Sequence, residues 1–354
     1  MKLDAAPASD GHQAILSEAF ARWPDVVKPL FKGGPDIVCL SLPEQEGYTV
    51  MGRNWLPVVR QKVKDDGGTV KVVAYFCRPD RALPEDIVAR TPRLSPLADK
   101  TALVVGLGAL GSTIAWQLAR AGIGNLRFVD QDTLEIGNTS RWLLGKNYVG
   151  LSKVGAMYQH LSAAFPYLTM EPEHCLHLRI GSPHMDPAGN EALQRTLEGV
   201  DLIIDATAAW SVNHYLSTQA QTLRTAFVWA TATHGSWGGA IGRVLPSETE
   251  GCWRCYQRHL YDGTIPIPQQ EPGGEVQPYG CYSPTFTGAG FDLDHVSLGA
   301  VRLAVASLCN QPDSYPNFPW DVGILSLWDV ATGLPLAANW NTFQLTHHRE
   351  CDCV

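Results

Sequence analysis

The chain has 354 residues, 45% of them hydrophobic, with 27 Lys and Arg against 35 Asp and Glu and a formal net charge of -8. That balance excludes a global basic footprint for nucleic acid or an anionic membrane, so the expected partners are proteins or small molecules. No run approaches the roughly 18 apolar residues of a membrane span and the first residues lack the apolar core of a secretion signal, so a cytoplasmic protein is expected.

The length suits one large α/β domain with a smaller attached region. Residues 1–98 hold a helix-like start from Ala14 to Trp23 and two strand-like runs, Asp36 to Leu42 and Val70 to Phe76. They are expected to form a small α+β docking or dimerisation region. Prolines at 79, 84, 92 and 96 read as an extended connector, which sets the boundary at 98/99.

From Thr101 onward strands and helices alternate. Strands are expected at Thr101 to Val105, Asn125 to Asp130, Asp201 to Asp205 and Phe227 to Thr231. Helices are expected at Ser112 to Ala121, Lys153 to Ala164 and Val212 to Leu223, with another apolar helical run from Val296 to Leu308. This order implies an α/β fold with a doubly wound, mostly parallel, Rossmann-like sheet over residues 99–354. Ligands in such sheets bind at the carboxyl ends of the strands. The Pro- and Gly-rich stretch from Tyr261 to Gly280 is expected to be a long mobile loop, part of a crossover spanning about residues 256–283.

Gly106, Gly108 and Gly111 follow a strand and open a helix, so phosphates can approach backbone N–H groups at the helix N-terminus. Asp130, ending the next strand, is placed for ribose hydroxyls. Alone, these residues fit NAD, FAD or ATP equally. The following motifs, Asp130-Gln-Asp132, Asn138-Thr-Ser-Arg141, Gly150-Leu-Ser-Lys153 and a strand-end Asp205, favour a triphosphate cleaved at its α-phosphate over hydride transfer. Asp132 also suits a simple turn cap, and Lys146 reads as a surface lysine.

With these motifs, residues from about 95 to 354 resemble the ubiquitin-activating and ThiF/MoeB-type adenylyltransferase family, which includes the enzyme that adenylates the microcin C7 peptide. Trp142 departs from the Gln that many members carry after the Arg. The resemblance implies that Asp130 holds the ribose of ATP, Asn138 and Arg141 the phosphates, and Asp205 a Mg²⁺ ion, with Lys153 bridging ribose and phosphate. It also implies a homodimer, with Arg90 or Arg93 as a source of an arginine reaching the other subunit's site.

Cys252 and Cys255 form a C-x-x-C pair, and Cys351 and Cys353 a C-x-C pair. Four thiolates satisfy a closed structural Zn²⁺ site, with His347 and His348 as reserve ligands. Cys281 stands alone after the loop; in relatives that form a covalent intermediate a cysteine at this place attacks the acyl-adenylate. Cys39, Cys77, Cys175 and Cys309 lie in or near apolar runs and read as packing residues.

The leading expectation is adenylation of a ubiquitin-like protein's terminal carboxylate, thioester formation on Cys281 and transfer to a conjugating-enzyme-like partner. The alternative is adenylation without an enzyme thioester, for sulfur-carrier activation or peptide modification. An NAD(P)-dependent oxidoreductase and a silent scaffold are the readings from other classes.

Overall fold

A computed structural model describes residues 21–22, 36–46, 50–77, 90–182, 186–277, 285–309 and 311–353. Contacts divide the chain into two units, Met1–Ala82 and Leu83–Val354. In the first, β1 (Asp36–Glu46), β2 (Val50–Lys64) and β3 (Val70–Phe76) pair antiparallel in sequence order. The β2–β3 turn closes on Asp65, whose Oδ1 accepts the N–H groups of Gly67 at 3.1 Å and Thr69 at 2.9 Å. β2 escaped the sequence reading because Pro57 and four charged residues interrupt its apolar alternation. The expected helix from Ala14 to Trp23 lies, apart from residues 21–22, outside the described residues.

Cys39 and Cys77 are exposed, which corrects their reading as packing residues. Side chains alternate across a strand, so Cys39 shares the outward face of Ile37 while Leu40 is buried. Cys77 falls just past the end of β3.

Of the expected connector, the part around Pro79 and Pro84 lies outside the described residues, and the part around Pro92 and Pro96 is helical. Pro92–Asp99 is a 3₁₀ helix with Pro at its first turn, where the missing N–H costs nothing, and Leu97 is fully buried beneath it. The chain then runs through β4 (Thr101–Val105), α1 (Ala109–Arg120), β5 (Asn125–Asp130), α2 (Lys153–Ala164), β6 (Cys175–His177) and α3 (Pro187–Leu197). It continues with β7 (Leu202–Asp205), α4 (Trp210–Leu223), β8 (Ala226–Ala232), β9 (Gly238–Val244) and α5 (Trp253–Tyr261). The last elements are β10 (Glu275–Val276), β11 (Thr285–Phe286), α6 (Gly290–Leu308), β12 (Val322–Asp329) and β13 (Leu334–Phe343).

Eight strands form one sheet in the order β13-β12-β9-β8-β7-β4-β5-β6. β6, β5, β4, β7 and β8 are mutually parallel, and β9, β12 and β13 add antiparallel. The parallel strands are near-continuous buried runs because helices cover both faces. On β4, Ala102 and Val104 enter a core with Ile114 and Leu118 of α1, Met157 of α2 and Leu303 of α6. Leu103 and Val105 point the other way, into a core with Leu193 of α3, Leu216 of α4 and Trp253 of α5. Strand order reverses at β4, with β5 on one side and β7 on the other, so a crevice opens above the carboxyl end of β4. Among the described residues no helix is long and apolar enough to cross a membrane.

The helix after the glycine turn begins at Ala109, three residues before the sequence signal, and α6 at Gly290 rather than Val296. Gly111 therefore lies inside α1, and it permits the closest approach in the turn. A Cβ there would stand 1.7 Å from the Gly106 carbonyl oxygen. Gly111→Ala is expected to destabilise the unit by about 1–3 kcal/mol through overpacking, seen as a lower urea midpoint; an unchanged midpoint would contradict this packing.

Candidate active site

The crevice is organised by one carboxylate. Gly106 takes φ +82°, a conformation glycine adopts without strain, and its N–H donates to the Val129 carbonyl at 2.8 Å. Asp130 Oδ2 accepts the Leu107 N–H at 2.5 Å, and its Oδ1 accepts the Asp132 N–H at 2.7 Å. The side chain is 7% exposed. Burial pushes its pKa up, against the pull of Lys153 and the two amide donors.

Asp132 and Lys153 meet across the next turn. Lys153 opens α2, which Ser152 caps by accepting the Gly155 N–H at 3.1 Å. Its Nζ lies 2.7 Å from Asp132 Oδ2, and its N–H donates to the Asp132 carbonyl at 2.9 Å. Asp132 thus does more than end a turn.

Gly106, Gly108, Asp130, Asp132 and Lys153 line one cavity of about 600 Å³, within the range of small-molecule sites. Its other wall was not legible in the sequence: Leu178, Arg179 and Ile180 follow β6, Asn190 and Leu193 come from α3, and Tyr215 from α4. They carry no motif, and β6 and α3 were not anticipated. Arg127 fixes the α3 wall by donating from Nη1 to the carbonyls of Thr196 at 3.0 Å and Glu198 at 2.6 Å, capping that helix C-terminus.

Asp205 ends β7 beneath the cavity-lining Ala206 and Thr207. Its Oδ1 accepts the Thr207 N–H at 2.8 Å and hydroxyl at 2.7 Å, and its buried Oδ2 has no partner among the described residues. Burial raises its pKa from 3.8 to about 6. An unpaired hard oxygen at this strand end fits Mg²⁺, which takes one or two carboxylates plus waters and phosphates.

Asn138, Arg141 and Gly111 are not in the cavity lining. Asn138 is spent locally: its Oδ1 accepts the Glu135 N–H at 3.0 Å in a reciprocal capping box. Arg141 Nη1 donates to the Phe286 carbonyl at 2.7 Å. Trp142 is 6% exposed and donates from Nε1 to the Leu107 carbonyl at 2.6 Å. It fastens this segment to the glycine turn, a role its place after Arg141 did not suggest. Lys146, Arg90 and Arg93 are exposed. Cys281 lies outside the described residues.

Cys252, Cys255, Cys351 and Cys353 converge, with ligand atoms all within 4.8 Å. Sulfur separations are 3.9 Å for Cys252–Cys255, 3.7 Å for Cys252–Cys351 and 3.5 Å for Cys255–Cys353. Tetrahedral Zn–S bonds of about 2.3 Å place sulfurs about 3.8 Å apart, so the donor set fits Zn²⁺. His347 and His348 are engaged elsewhere. His347 Nε2 meets the Cys351 carbonyl at 3.0 Å. His348 Nδ1 accepts the Glu350 N–H at 3.1 Å, which leaves the proton on Nε2 to be donated to Asp262 at 3.1 Å. With His259 this second cluster is a hydrogen-bonded fastening of the tail, because that tautomer leaves His348 no lone pair toward a metal.

A model of the ThiF family matches residues 85–311. The chain belongs to the ThiF family. It is 33% identical over 310 residues to the uncharacterized protein y4oA of Sinorhizobium fredii, covering 85% of this chain and 50% of that protein. Over 163 residues it is 29% identical to the molybdopterin-synthase adenylyltransferase of Salmonella typhimurium, covering 46% of this chain and 60% of that enzyme. Among solved structures, E. coli MccB with MccA superposes with a TM-score of 0.53 at 14% identity, covering 76% of this ThiF-family chain and 71% of MccB. PaaA superposes with 0.51 at 17%, covering 71% and 66%. At these identities the structures share the fold. The chain spans about half the length of y4oA and of y4qC, a second S. fredii relative.

Two outcomes test the site. Because the folded pKa of Asp205 lies above 3.8, the native state holds an extra proton between about pH 4 and 6. The stability it brings is complete below pH 4 and lost as pH rises through 6. Relative to Asp205→Asn, the wild type is therefore expected to lose on the order of 2 kcal/mol between pH 4 and 7, measured by urea denaturation; a flat difference excludes a desolvated carboxyl. Separately, Cys255→Ser and Cys351→Ser are each expected to lower zinc content, by atomic emission, and the melting temperature by several degrees or more. Full zinc retention in both would remove the site.

Proposed function

We propose that this chain adenylates the terminal carboxylate of a ubiquitin-like protein or peptide at the expense of ATP. The observation that carries the reading is the cavity at the reversal point of the sheet, where the glycine turn, Asp130 and the Lys153–Asp132 ion pair converge. Relatives support it. One is named molybdopterin-synthase adenylyltransferase and another ATP-dependent ubiquitin transferase-like protein Cap2, and MccB has been solved with ATP and with MccA.

The chemistry asks little of an acid or base, because a carboxylate nucleophile is already ionised at pH 7. What it needs is screening of two anions and stabilisation of departing pyrophosphate. The glycine-turn N–H groups and the start of α1 would hold phosphate oxygens, and Asp130 would meet ribose hydroxyls with its remaining lone pairs. Lys153 would present an ammonium held in a dry wall. Asp205 would hold Mg²⁺ through the oxygen that lacks a partner. When bound, that ion supplies charge neutralisation between the phosphates.

A second step, capture of the acyl group on Cys281 as a thioester with release of AMP, is favoured by where this cysteine stands in the chain. In sequence it falls between Glu275–Val276 and Thr285–Phe286, two strands that pair and the second of which Arg141 grips. Adenylation alone would serve sulfur-carrier or peptide chemistry.

ATP–pyrophosphate exchange, screened against small proteins and peptides encoded beside this chain, separates these readings. Lys153→Ala is expected to lower exchange at least about a hundredfold. Cys281→Ala is expected to leave exchange intact while abolishing a reducible acyl-enzyme. Exchange undiminished in Lys153→Ala would sink the phosphate site, and the absence of any acyl-enzyme in the wild type would leave adenylation without the thioester.

A further inference from the structure

Arg141 stands next to the nucleotide cavity in sequence motif but is gripped by a different part of the molecule. Its Nη1 donates to the Phe286 carbonyl at 2.7 Å, its Nη2 to Thr285 Oγ1 at 3.1 Å, and its guanidinium carbon sits 4.8 Å from the centroid of the Phe286 ring. Both terminal nitrogens and one face of the guanidinium are thus committed to β11.

The strand it holds belongs to a tightly tied hairpin. β11 pairs antiparallel with β10 through Glu275–Phe286 and Val276–Thr285. Thr287 donates its hydroxyl to Glu271 at 2.7 Å and its N–H to the Gly274 carbonyl at 2.8 Å. Phe286 is also stacked by His234, with ring centroids 6.3 Å apart and planes 8° from parallel, just beyond the carboxyl end of β8. Where α6 begins, a Cβ on Gly290 would stand 3.3 Å from the Ser140 carbonyl oxygen, so the backbone beside Arg141 also abuts the hairpin's exit.

Trp142 fastens the same segment to the glycine turn, and the family resemblance assigns Arg141 to the phosphates; in that role a triphosphate would need the same two guanidinium edges. Arginine binds phosphate oxygens bidentately through its terminal N–H groups, and those are the groups now on Thr285 and Phe286. The two partners therefore compete.

We propose that Arg141 is shared between the β10–β11 hairpin and the triphosphate, so that nucleotide binding withdraws the guanidinium from Thr285 and Phe286 and loosens the hairpin. The inference rests on the nucleotide reading above. Linkage makes the effect reciprocal: whatever factor the triphosphate takes from the hairpin's hold, the hairpin takes from triphosphate affinity.

The sign of the mutational effect is diagnostic, because a hairpin that merely oriented Arg141 for ATP would act in the opposite direction. Phe286→Ala is expected to bind the non-hydrolysable analogue AMPCPP about two- to fivefold tighter by calorimetry, the loss of a cation–π competitor. Thr285→Val, which keeps shape and removes one acceptor, is expected to move affinity the same way. Amide exchange over residues 271–277 and 285–288 is expected to quicken when AMPCPP saturates the wild type, and to be fast with or without nucleotide in Arg141→Ala. Weaker binding in both hairpin variants, or hairpin protection unchanged at saturation, overturns the shared arginine while leaving the nucleotide site standing. No AMPCPP binding by the wild type overturns both.

Discussion

The Asp130 carboxylate joins three stretches of backbone that would otherwise be independent. One oxygen takes the N–H that follows the first glycine, the other takes the N–H two residues further along its own segment, and the strand beneath supplies the rigid base. Because the carboxylate is buried, leaving either donor unpaired would carry a desolvation cost that water cannot relieve. The glycine turn, the end of β5 and the Asp132–Lys153 turn are fixed relative to one another by this arrangement. The cavity opens against this arrangement, with Gly106, Gly108 and Asp130 all in its lining.

From that fixed point the rest of the site divides into two shells of different character. Lys153, Asp132 and the glycine residues line the cavity directly. Asp205 sits one layer below with an oxygen that has no partner among the described residues, and Arg141 sits one element away in the grip of β11. In each the charge is partly withdrawn from water, which lowers the Arg141 pKa and raises that of Asp205.

Much of this was legible in the sequence because the relevant signals are short-range. The apolar run Thr101 to Val105, the glycines after it and Asp130 at the end of the next run follow from strand burial and backbone sterics within thirty residues or so. The cysteine pairs were legible for a different reason, since pairs of thiols at such short spacings are a common zinc-ligand pattern. What could not be seen were features decided at long range. The antiparallel β9, β12 and β13 have no local mark of their sheet order, and the cavity wall of Leu178, Asn190 and Tyr215 is assembled from three separate elements. Trp142 was visible only as a departure from a pattern, whereas its indole N–H closes the space behind the glycine turn. The connector misled because prolines that punctuate a loop are equally at home in the first turn of a helix.

The cysteine cluster has a topological effect beyond its ligands. Cys252 and Cys351 meet across a separation of 99 residues, and the ion pairs Arg254–Asp352 and Arg258–Glu350 follow the same seam. Everything between them, including α6 and the antiparallel edge made by β12 and β13, is enclosed in one closed circuit of chain. Closing a circuit of that size removes conformational freedom from the unfolded ensemble far more than from the folded one. The outer strands β12 and β13 lie inside that circuit, so their ends are tied to α5 and the body of the sheet at the side away from the glycine turn.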